Sequence, residues 1–292
     1  MSEKNLPKGV SFVTEHGLEA LRVETDLCTG LVYRNGAHVA EWTPRGAEPV
    51  LWMSGSSEFT DGKAIRGGIP ICLPWFGPGR DGNHSPAHGF ARISPWTLTS
   101  ADVSDSGEAR LVFVLTGDEV EQLADFPSDF TASYAVTMGS ALQLSLTLTA
   151  GEQALDFEEA LHTYFAVGDA REVRIQGLDG ADYLDKVAGD RKSQSGDVTF
   201  SQETDRVYES VSTCRIIDEQ LGRSIVIEKV GSANTVVWNP WVAKSAAMAD
   251  FGDDEWPHLV CVEPCNVGDA AVRLAPGASH VMTTALEVRA LD

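Results

Sequence analysis

Hydrophobic and polar residues alternate with a period of two along much of the chain. In residues 142–148 every second side chain is leucine and the side chains between are polar. Because successive side chains of a strand point to opposite faces, this pattern predicts a strand that is buried on one face. Other alternating or continuously apolar stretches, separated by Gly, Asp, Asn and Ser, predict strands at residues 21–23, 111–115, 134–137, 224–229, 235–238 and 281–288.

Local signals predict one turn, one short helix and one loop. Asn35 and Gly36 lie between two apolar stretches, and both residues tolerate a positive φ, so we expect a hairpin turn there. Helical periodicity is scarce, and the best short candidate is residues 118–124, with Asp118 capping the first turn. The polar stretch 189–196 is typical of an exposed loop.

The spacing of the predicted strands indicates an all-β fold. Many short strands separated by turn residues, without helices of ten or more residues between them, favour an antiparallel sandwich over βαβ units. We find no low-complexity linker and no internal repeat in the 292 residues, a length that one all-β domain can reach. We therefore expect residues 1–292 to form a single β-sandwich domain with few short helices.

Charge and composition exclude several classes of function. The chain has 22 Lys and Arg against 43 Asp and Glu, a net charge of −21 that repels nucleic-acid backbones and anionic membranes. The N-terminus lacks the apolar region of a signal peptide, and no apolar run of about 18 residues occurs. The five scattered cysteines are typical of a reducing compartment. We expect a cytoplasmic monomer that binds neither nucleic acid nor membrane.

A Gly- and Pro-rich segment at residues 65–78 is followed closely by His-Gly-Phe-Ala-Arg at residues 88–92. This composition predicts a rigid loop that carries Arg66, His88 and Arg92. Two guanidiniums in an acidic chain suit bidentate recognition of a phosphate or carboxylate. The alternative is that both arginines form structural ion pairs with acidic residues. The segment lacks the Gly-x4-Gly-Lys-Ser/Thr pattern of a phosphate-binding P-loop, which argues against nucleotide binding.

Two other segments carry groups suited to proton transfer. Residues 161–165 are strand-like and place His162 and Tyr164 on one face, and histidine exchanges protons near physiological pH. A core histidine with its hydrogen bonds satisfied is the alternative. Glu263 lies between apolar and cysteine neighbours in a predicted strand, where burial would raise its pKa and make it a better base. The alternative for Glu263 is a buried salt bridge with Lys244 or an arginine.

The spacing of potential ligands predicts no metal site and no cofactor. Cys261 and Cys265 lack a second ligand pair with zinc spacing, and His84 and His88 lie in a loop that contains proline. The acidic run at residues 250–255 lacks the register of an EF-hand, and we expect a solvated loop there.

Taken in order, these segments resemble the glucose-6-phosphate 1-epimerases, or hexose-6-phosphate mutarotases, of the aldose 1-epimerase superfamily. The resemblance covers most of the chain and rests on Arg-Gly-Gly-Ile-Pro at 66–70, His-Gly-Phe-Ala-Arg at 88–92, His-Thr-Tyr-Phe at 162–165, Trp-Asn-Pro-Trp at 238–241, Gly-Asp-Asp-Glu-Trp at 252–256 and Val-Glu-Pro at 262–264. It implies a galactose-mutarotase-like β-supersandwich and a cofactor-free isomerase that interconverts the α and β anomers of hexose 6-phosphates, above all glucose 6-phosphate.

The resemblance also implies roles for six side chains of a sugar pocket. They are the general acid His162, the general base Glu263, the sugar-phosphate ligands Arg66 and Arg92, the pocket residue His88 and the hydroxyl ligand Asp205. Family members often carry glutamine just before the His-Gly-Phe-Ala-Arg motif, where this chain has Ala87. A neighbour such as Asn83 or His84 would have to replace that contact, so the preferred hexose is left open.

Three other functions are compatible with these residues. A mutarotase for unphosphorylated aldoses would use the two arginines only structurally, and a non-catalytic sugar-binding or regulatory protein would share the fold without the reaction. A glycosidase would need a second carboxylate beside Glu263, and Asp205 is the candidate.

Overall fold

The computed structural model describes residues 6–120 and 125–291, and these residues are mostly β-strand. The strands are β1 (Val10–Glu15), β2 (Leu18–Glu24), β3 (Cys28–Tyr33), β4 (His38–Pro44), β5 (Ile71–Cys72), β6 (Thr97–Val103), β7 (Ala109–Thr116), β8 (Phe130–Met138), β9 (Ala141–Ala150), β10 (Leu155–Phe157), β11 (Glu159–Leu161), β12 (Tyr164–Ala166), β13 (Arg174–Gln176), β14 (Asp182–Asp185), β15 (Asp190–Ser193), β16 (Thr204–Glu209), β17 (Cys214–Asp218), β18 (Arg223–Val230), β19 (Asn234–Asn239), β20 (Leu259–Asn266), β21 (Val272–Leu274) and β22 (Ser279–Ala290). Each of the seven strands predicted from the alternating or continuously apolar stretches lies inside one of them.

Helices are few and short, as predicted. Within the described residues the one α-helix is α1 (Trp241–Ala246), and single 3-10 turns form at Ala91–Ile93, Gly117–Glu119, Trp256–His258 and Gly268–Ala270. No helix among them is long and apolar enough to span a membrane.

The strands form two large sheets, an N-terminal sheet and a small ribbon, and every pairing between them is antiparallel. The first large sheet has the order β15-β14-β16-β19-β20-β11-β5, with β12 also paired to β20. The second has the order β13-β17-β18-β22-β9-β8-β7-β6. The N-terminal sheet has the order β1-β2-β3-β4, and the ribbon is β10-β21. The predicted all-β, antiparallel architecture is therefore confirmed.

The main core contains buried side chains from both large sheets. Strand β9 buries Leu142, Leu144, Leu146 and Leu148, which are at most 1% exposed, and leaves the polar residues between them on its other face. These leucines belong to one apolar cluster with Val262 of β20. Burying a leucine side chain stabilises a fold by about 1.5–3 kcal/mol, so this alternation accounts for the strand.

Strand β20 is buried on both faces. Val260 and Val262 belong to the main core, whereas Cys261 and Cys265 belong to a second apolar cluster on the opposite face of the first large sheet. Because side chains alternate along a strand, Glu263 lies on the same face as the two cysteines. Packing of Val260 and Val262 in the main core thus fixes the position of β20, and Glu263 lies on the other face of the strand.

The predicted hairpin at Asn35 and Gly36 forms, with a different backbone conformation. Strands β3 and β4 are joined by residues 34–37, and positive φ occurs at Gly36 (72°) and Ala37 (44°) rather than at Asn35. The Asn35 side chain instead accepts a hydrogen bond from the Gly62 N–H (3.2 Å) and donates one to the Lys63 carbonyl (2.8 Å). Asn35 therefore holds the next loop in place.

Two further local predictions need correction. The predicted helix at residues 118–124 begins as a 3-10 turn at Gly117–Glu119, and its cap is Thr116, which forms a capping box with Glu119. Residues 121–124 of that prediction lie outside the described residues. The predicted loop at 189–196 contains strand β15, whose four residues are all exposed and pair with β14.

Candidate active site

The Gly- and Pro-rich segment is irregular apart from β5 and is tied to β12. The Gly68 N–H donates to the Trp52 carbonyl (2.7 Å), and the Gly68 carbonyl accepts from the Tyr164 N–H (2.9 Å). Gly68 has a φ of +56°, and a Cβ there would lie 2.3 Å from the Val39 carbonyl oxygen. Only glycine allows the backbone at residue 68 to come this close to Val39, and this contact fixes the backbone near Arg66.

Arg66 already has partners in the protein. Its Nε and Nη2 donate to the two carboxylate oxygens of Asp250 at 3.1 and 3.2 Å, and its Nη1 donates to the Tyr164 hydroxyl at 2.9 Å. The structural ion-pair alternative therefore holds for Arg66. The prediction of a solvated acidic loop at 250–255 is wrong for Asp250, because Asp250 pairs with this half-buried guanidinium.

Arg92 is different, because its charge is not neutralised. Its Nη2 donates to the Ala87 carbonyl (2.7 Å), and its buried Nε has no hydrogen-bond partner among the described residues. Within those residues no carboxylate lies within 4.0 Å of it. Desolvation lowers the pKa of Arg92, yet a guanidinium stays charged at neutral pH. Arg92 is thus a cation that is free to bind an anion.

His162 lies between β11 and β12 and faces Glu263. The predicted continuous strand at 161–165 is interrupted at His162, but the His162 and Tyr164 rings still stack, with centroids 4.8 Å apart. His162 Nε2 is 3.4 Å from Glu263 Oε1. Neither carboxylate oxygen of Glu263, a fully buried residue, has a hydrogen-bond partner within the described chain.

The alternative of a salt bridge between Glu263 and Lys244 is wrong. The Lys244 ammonium donates instead to Glu203, at 3.0 Å. Glu263 therefore remains a buried carboxyl group whose one basic neighbour within 4.0 Å, in the part of the chain described, is the imidazole of His162.

Burial sets the protonation of this pair. Desolvation, together with the charges of Arg66 and Arg92, lowers the pKa of His162 to about 3. Desolvation also raises the pKa of Glu263 well above its ordinary value, and Asp205 adds to that effect. These shifts favour placing a proton shared by the pair on Glu263 rather than on His162 when the pocket is free.

His88 contributes a hydrogen-bond donor next to this pair. Its Nδ1 accepts from the Gly77 N–H (3.2 Å) and lies 3.3 Å from the Cys72 Sγ. We infer from the Gly77 contact that the neutral ring carries its proton on Nε2. The His88 ring centroid is 5.6 Å from that of His162, and the residue has a positive φ of 64°. Such a conformation is costly for a non-glycine residue, and strained residues of this kind are enriched at functional sites.

Asp205 lies on β16, next to Trp238 of β19. Burial raises its pKa, and the Lys186 ammonium is 3.9 Å from its carboxylate. Lys186 also lies 5.2 Å above the ring of Phe76, and its charge lowers the pKa of His162. Lys186 therefore faces the same pocket. Nothing in the sequence indicated this, because Lys186 lies in a polar connection between β14 and β15.

His84 faces elsewhere. Its ring stacks on Trp75 at 4.7 Å, and its Nε2 is 3.6 Å from Asp81. These residues line a separate cavity of about 300 Å³ that contains neither His162 nor Glu263. The proposed replacement of a glutamine contact by His84 is therefore not supported. Ala87 contributes to the site through its carbonyl, which orients Arg92.

The chain is similar to proteins of known family. A family model described as aldose 1-epimerase matches residues 20–287. A protein from Escherichia coli K12 named "Putative glucose-6-phosphate 1-epimerase" is 43% identical over 233 residues, which cover 78% of this chain and 76% of the relative.

Two solved structures are similar to this chain in fold. The crystal structure of a "putative mutarotase" from Salmonella typhimurium superposes with a TM-score of 0.90 at 32% identity, covering 98% of this chain and 95% of that one. A galactose mutarotase-like protein from Clostridium acetobutylicum superposes with a TM-score of 0.76 at 16% identity, covering 99% of this chain and all of the other.

Proposed function

Because this chain belongs to the aldose 1-epimerase family and has the galactose-mutarotase-like fold predicted for it, we propose that it interconverts the α and β anomers of hexose 6-phosphates. Glucose 6-phosphate is the substrate named for the Escherichia coli relative, and we propose it as the main substrate here. The observation that carries the proposal is the isolated His162 and Glu263 pair, 3.4 Å apart, in a pocket with the unneutralised Arg92.

Opening the sugar ring requires two proton transfers. A base removes the proton of the anomeric hydroxyl, and an acid protonates the ring oxygen. We assign the base to Glu263 and the acid to His162, and each positioned transfer is typically worth about 10²–10⁴-fold in rate. After the carbonyl group rotates, the two groups exchange roles and the ring closes on the other anomer.

Binding of the sugar phosphate favours the form of the pair in which His162 is an imidazolium and Glu263 a carboxylate. In the free pocket the single proton is on Glu263, and its movement to His162 produces the carboxylate and imidazolium that ring opening needs. The charges of Arg66 and Arg92 oppose this movement by lowering the pKa of His162. A phosphate dianion bound beside these arginines offsets their charge and so favours an imidazolium.

The remaining pocket groups bind and orient the sugar. We assign the phosphate to Arg92, with Arg66 and Lys186 as further cations, because a guanidinium suits bidentate contact with a phosphate. We assign sugar hydroxyls to the Nε2–H of His88 and the carboxylate of Asp205. These contacts orient the sugar and take no direct part in the two proton transfers.

One observation favours a mutarotase for unphosphorylated aldoses as the second candidate. Arg66 is already paired with Asp250, which leaves Arg92 and Lys186 as the cations for a phosphate. We therefore test the phosphate assignment at Arg92.

Time-resolved NMR of anomer exchange, with glucose 6-phosphate and glucose as substrates, separates the two candidates. A hydrogen bond to a charged group contributes about 1.5–3 kcal/mol, so Arg92→Ala should raise KM for glucose 6-phosphate by about 10- to 150-fold and leave glucose unaffected. The exposed Arg171, paired with Asp169, provides the matched control Arg171→Ala. Equal efficiency on both sugars, unchanged in Arg92→Ala, would overturn the phosphate assignment.

The assignment of the base is tested with Glu263→Gln, which keeps the shape of the side chain. We expect kcat for glucose 6-phosphate to fall by about 10²–10⁴-fold. An unchanged kcat would show that Glu263 is not the base, whatever the substrate.

We also propose that the protein is a cytoplasmic monomer of one domain whose catalysis needs no cofactor. The five cysteines, all free and buried, support a reducing compartment, and the net charge of −21 disfavours nucleic acid and membranes as partners. Sedimentation equilibrium at the mass of one 31.4 kDa chain tests the monomer, and an unchanged rate after dialysis against a chelator tests the cofactor.

A further inference from the structure

Three potential metal ligands converge in the pocket. His162, Cys261 and Glu263 are all buried, and one donor atom from each lies within 4.8 Å of the other two. Cys261 and Glu263 are two residues apart on β20 and so share a face. Strands β11 and β12 both pair with β20, and His162, in the gap between them, brings its Nε2 to within 3.4 Å of Glu263.

The distance between His162 and Glu263 suits two ligands of one metal ion. His162 Nε2 and Glu263 Oε1 are 3.4 Å apart, and no described residue donates a hydrogen bond to either oxygen of Glu263. Nitrogen and oxygen ligands lie about 2.0–2.2 Å from zinc, and tetrahedral angles then place them about 3.3–3.6 Å from each other. The buried carboxylate is thus unpartnered and aimed at this position.

The donor set indicates which ion binds. Imidazole, thiolate and carboxylate together suit Zn²⁺, whereas Mg²⁺ and Ca²⁺ prefer oxygen ligands alone. Three protein ligands leave one tetrahedral position open. Since His162 and Glu263 are also the proposed acid and base, an ion held between them would occupy the place of the reacting sugar.

We propose that Zn²⁺ binds to His162 Nε2, Cys261 Sγ and a carboxylate oxygen of Glu263, and thereby competes with the sugar. Binding displaces the protons of the Cys261 thiol and the Glu263 carboxyl, so Zn²⁺ uptake releases protons to the buffer. His162 Nδ1 has no hydrogen-bond partner among the described residues, and strong zinc sites normally supply one. The site is therefore inhibitory and reversible, weaker than a structural zinc site.

Metal binding can be measured without any sugar. Co²⁺ added to the intact protein should produce a thiolate-to-cobalt charge-transfer band in the near ultraviolet, and one equivalent of Zn²⁺ should remove it. Cys261→Ser should abolish the band and weaken Zn²⁺ binding by more than about tenfold in calorimetry, since a hard hydroxyl replaces a soft ligand. Cys214→Ser is the matched control, because Cys214 is a buried thiol on β17, in the second large sheet.

The result with Co²⁺ decides the site independently of the reaction. Absence of the band in the unmodified protein, or its survival in a folded Cys261→Ser variant, would overturn the metal site. The competition rests on the proposed function: Zn²⁺ should raise the apparent KM for glucose 6-phosphate, and a chelator should reverse this. If Zn²⁺ binds but leaves the KM for glucose 6-phosphate unchanged, the competition is overturned and the metal site stands. If the protein has no mutarotase activity, the proposed function fails, but the cobalt band should still appear.

Discussion

Glu263 illustrates how a single side chain is placed for chemistry at the expense of stability. It is fully buried, its oxygens lack hydrogen-bond donors in the described chain, and burial raises its pKa. A group whose pKa is raised by folding stabilises the native state most below its unfolded pKa. That contribution is lost as the pH rises towards the folded pKa.

We therefore predict that Glu263→Gln stabilises the protein near neutral pH. A glutamate that is ionised in the unfolded chain must take up a proton on folding, whereas an amide does not, so the variant should unfold with a free energy about 1–3 kcal/mol higher than the unmodified protein at pH 7. The difference should shrink towards pH 4, where the glutamate is protonated in both states. Urea unfolding at both pH values measures this. A variant less stable at pH 7 would show that Glu263 has a stabilising partner.

The same pair predicts the pH dependence of the reaction. The active form holds one proton between His162 and Glu263, so kcat/KM should fall only when a second proton is added or the last one is lost. The alkaline limb should lie well above the ordinary range of glutamate, because burial raises the pKa of Glu263. NMR exchange rates across the pH range measure it. An alkaline limb near the ordinary glutamate value would contradict a buried, coupled pair.

At the scale of elements, a hydrogen-bonded ion pair connects the two large sheets next to the site. His280 of β22 lies 2.9 Å from the buried carboxylate of Glu159 on β11, which also accepts from the Asn266 side chain at 2.7 Å. The bond to Glu159 raises the pKa of His280. Its contribution to stability is complete below the unfolded histidine pKa and is lost as the pH rises through the folded value.

We predict that His280→Gln destabilises the protein more at pH 6 than at pH 9. A hydrogen bond between charged groups contributes about 1.5–3 kcal/mol and one from a neutral imidazole contributes less, so the loss should be larger at the lower pH. Thermal unfolding at the two pH values tests this. The exposed His16, at the turn between β1 and β2, has no carboxylate contact in the described structure, so His16→Gln should show no such difference. An equal loss at both pH values would mean that His280 contributes packing alone.

Strands with buried apolar residues were predictable, whereas a fully exposed strand was not. β9 alternates because its leucines face the core, and that pattern is visible in the sequence. β15 has four exposed residues and forms only through pairing with β14, so no hydrophobic pattern marks it. The interruption at His162 arises because β11 and β12 pair with different parts of β20, a tertiary effect that local sequence does not record.

At the scale of the whole molecule, a strongly acidic protein places three cations around one pocket. The net charge is −21, yet Arg66, Arg92 and Lys186 all lower the pKa of His162 and so act on the same pocket. Short contacts in a partly buried pocket are screened little by salt, whereas repulsion from distant surface charges is screened within about 10 Å at 0.1 M.

We predict that added salt improves the use of glucose 6-phosphate. Raising the ionic strength from about 0.01 to 0.15 M should lower KM for this dianion, by less than about tenfold, because long-range repulsion weakens first. KM for glucose, which is neutral, should not change and serves as the control. A rise in KM for glucose 6-phosphate with added salt would contradict this prediction. It would indicate that attraction by the pocket's cations affects substrate binding more than repulsion by the acidic surface does.

The site was predictable only as far as its motifs extend. His162, Glu263, Arg66, His88, Arg92 and Asp205 were all proposed from sequence, and the assignment of their roles remains a proposal. The contacts of Asp250 with Arg66, and of Lys186 with Asp205, join segments far apart in the chain. Spacing along the sequence carries no information on such contacts, which is also why the convergence of His162 and Cys261 was not foreseen.

The double burial of β20 has a consequence for how the protein loses activity. One backbone supplies Val262 to the core and Glu263 to the pocket, so any opening that releases the carboxylate must also break the packing between the two large sheets. Amide protons of β20 should therefore exchange with deuterium only through global unfolding. The catalytic groups then have no partially melted state of their own, and heat should abolish activity at the same temperature at which the whole sandwich unfolds.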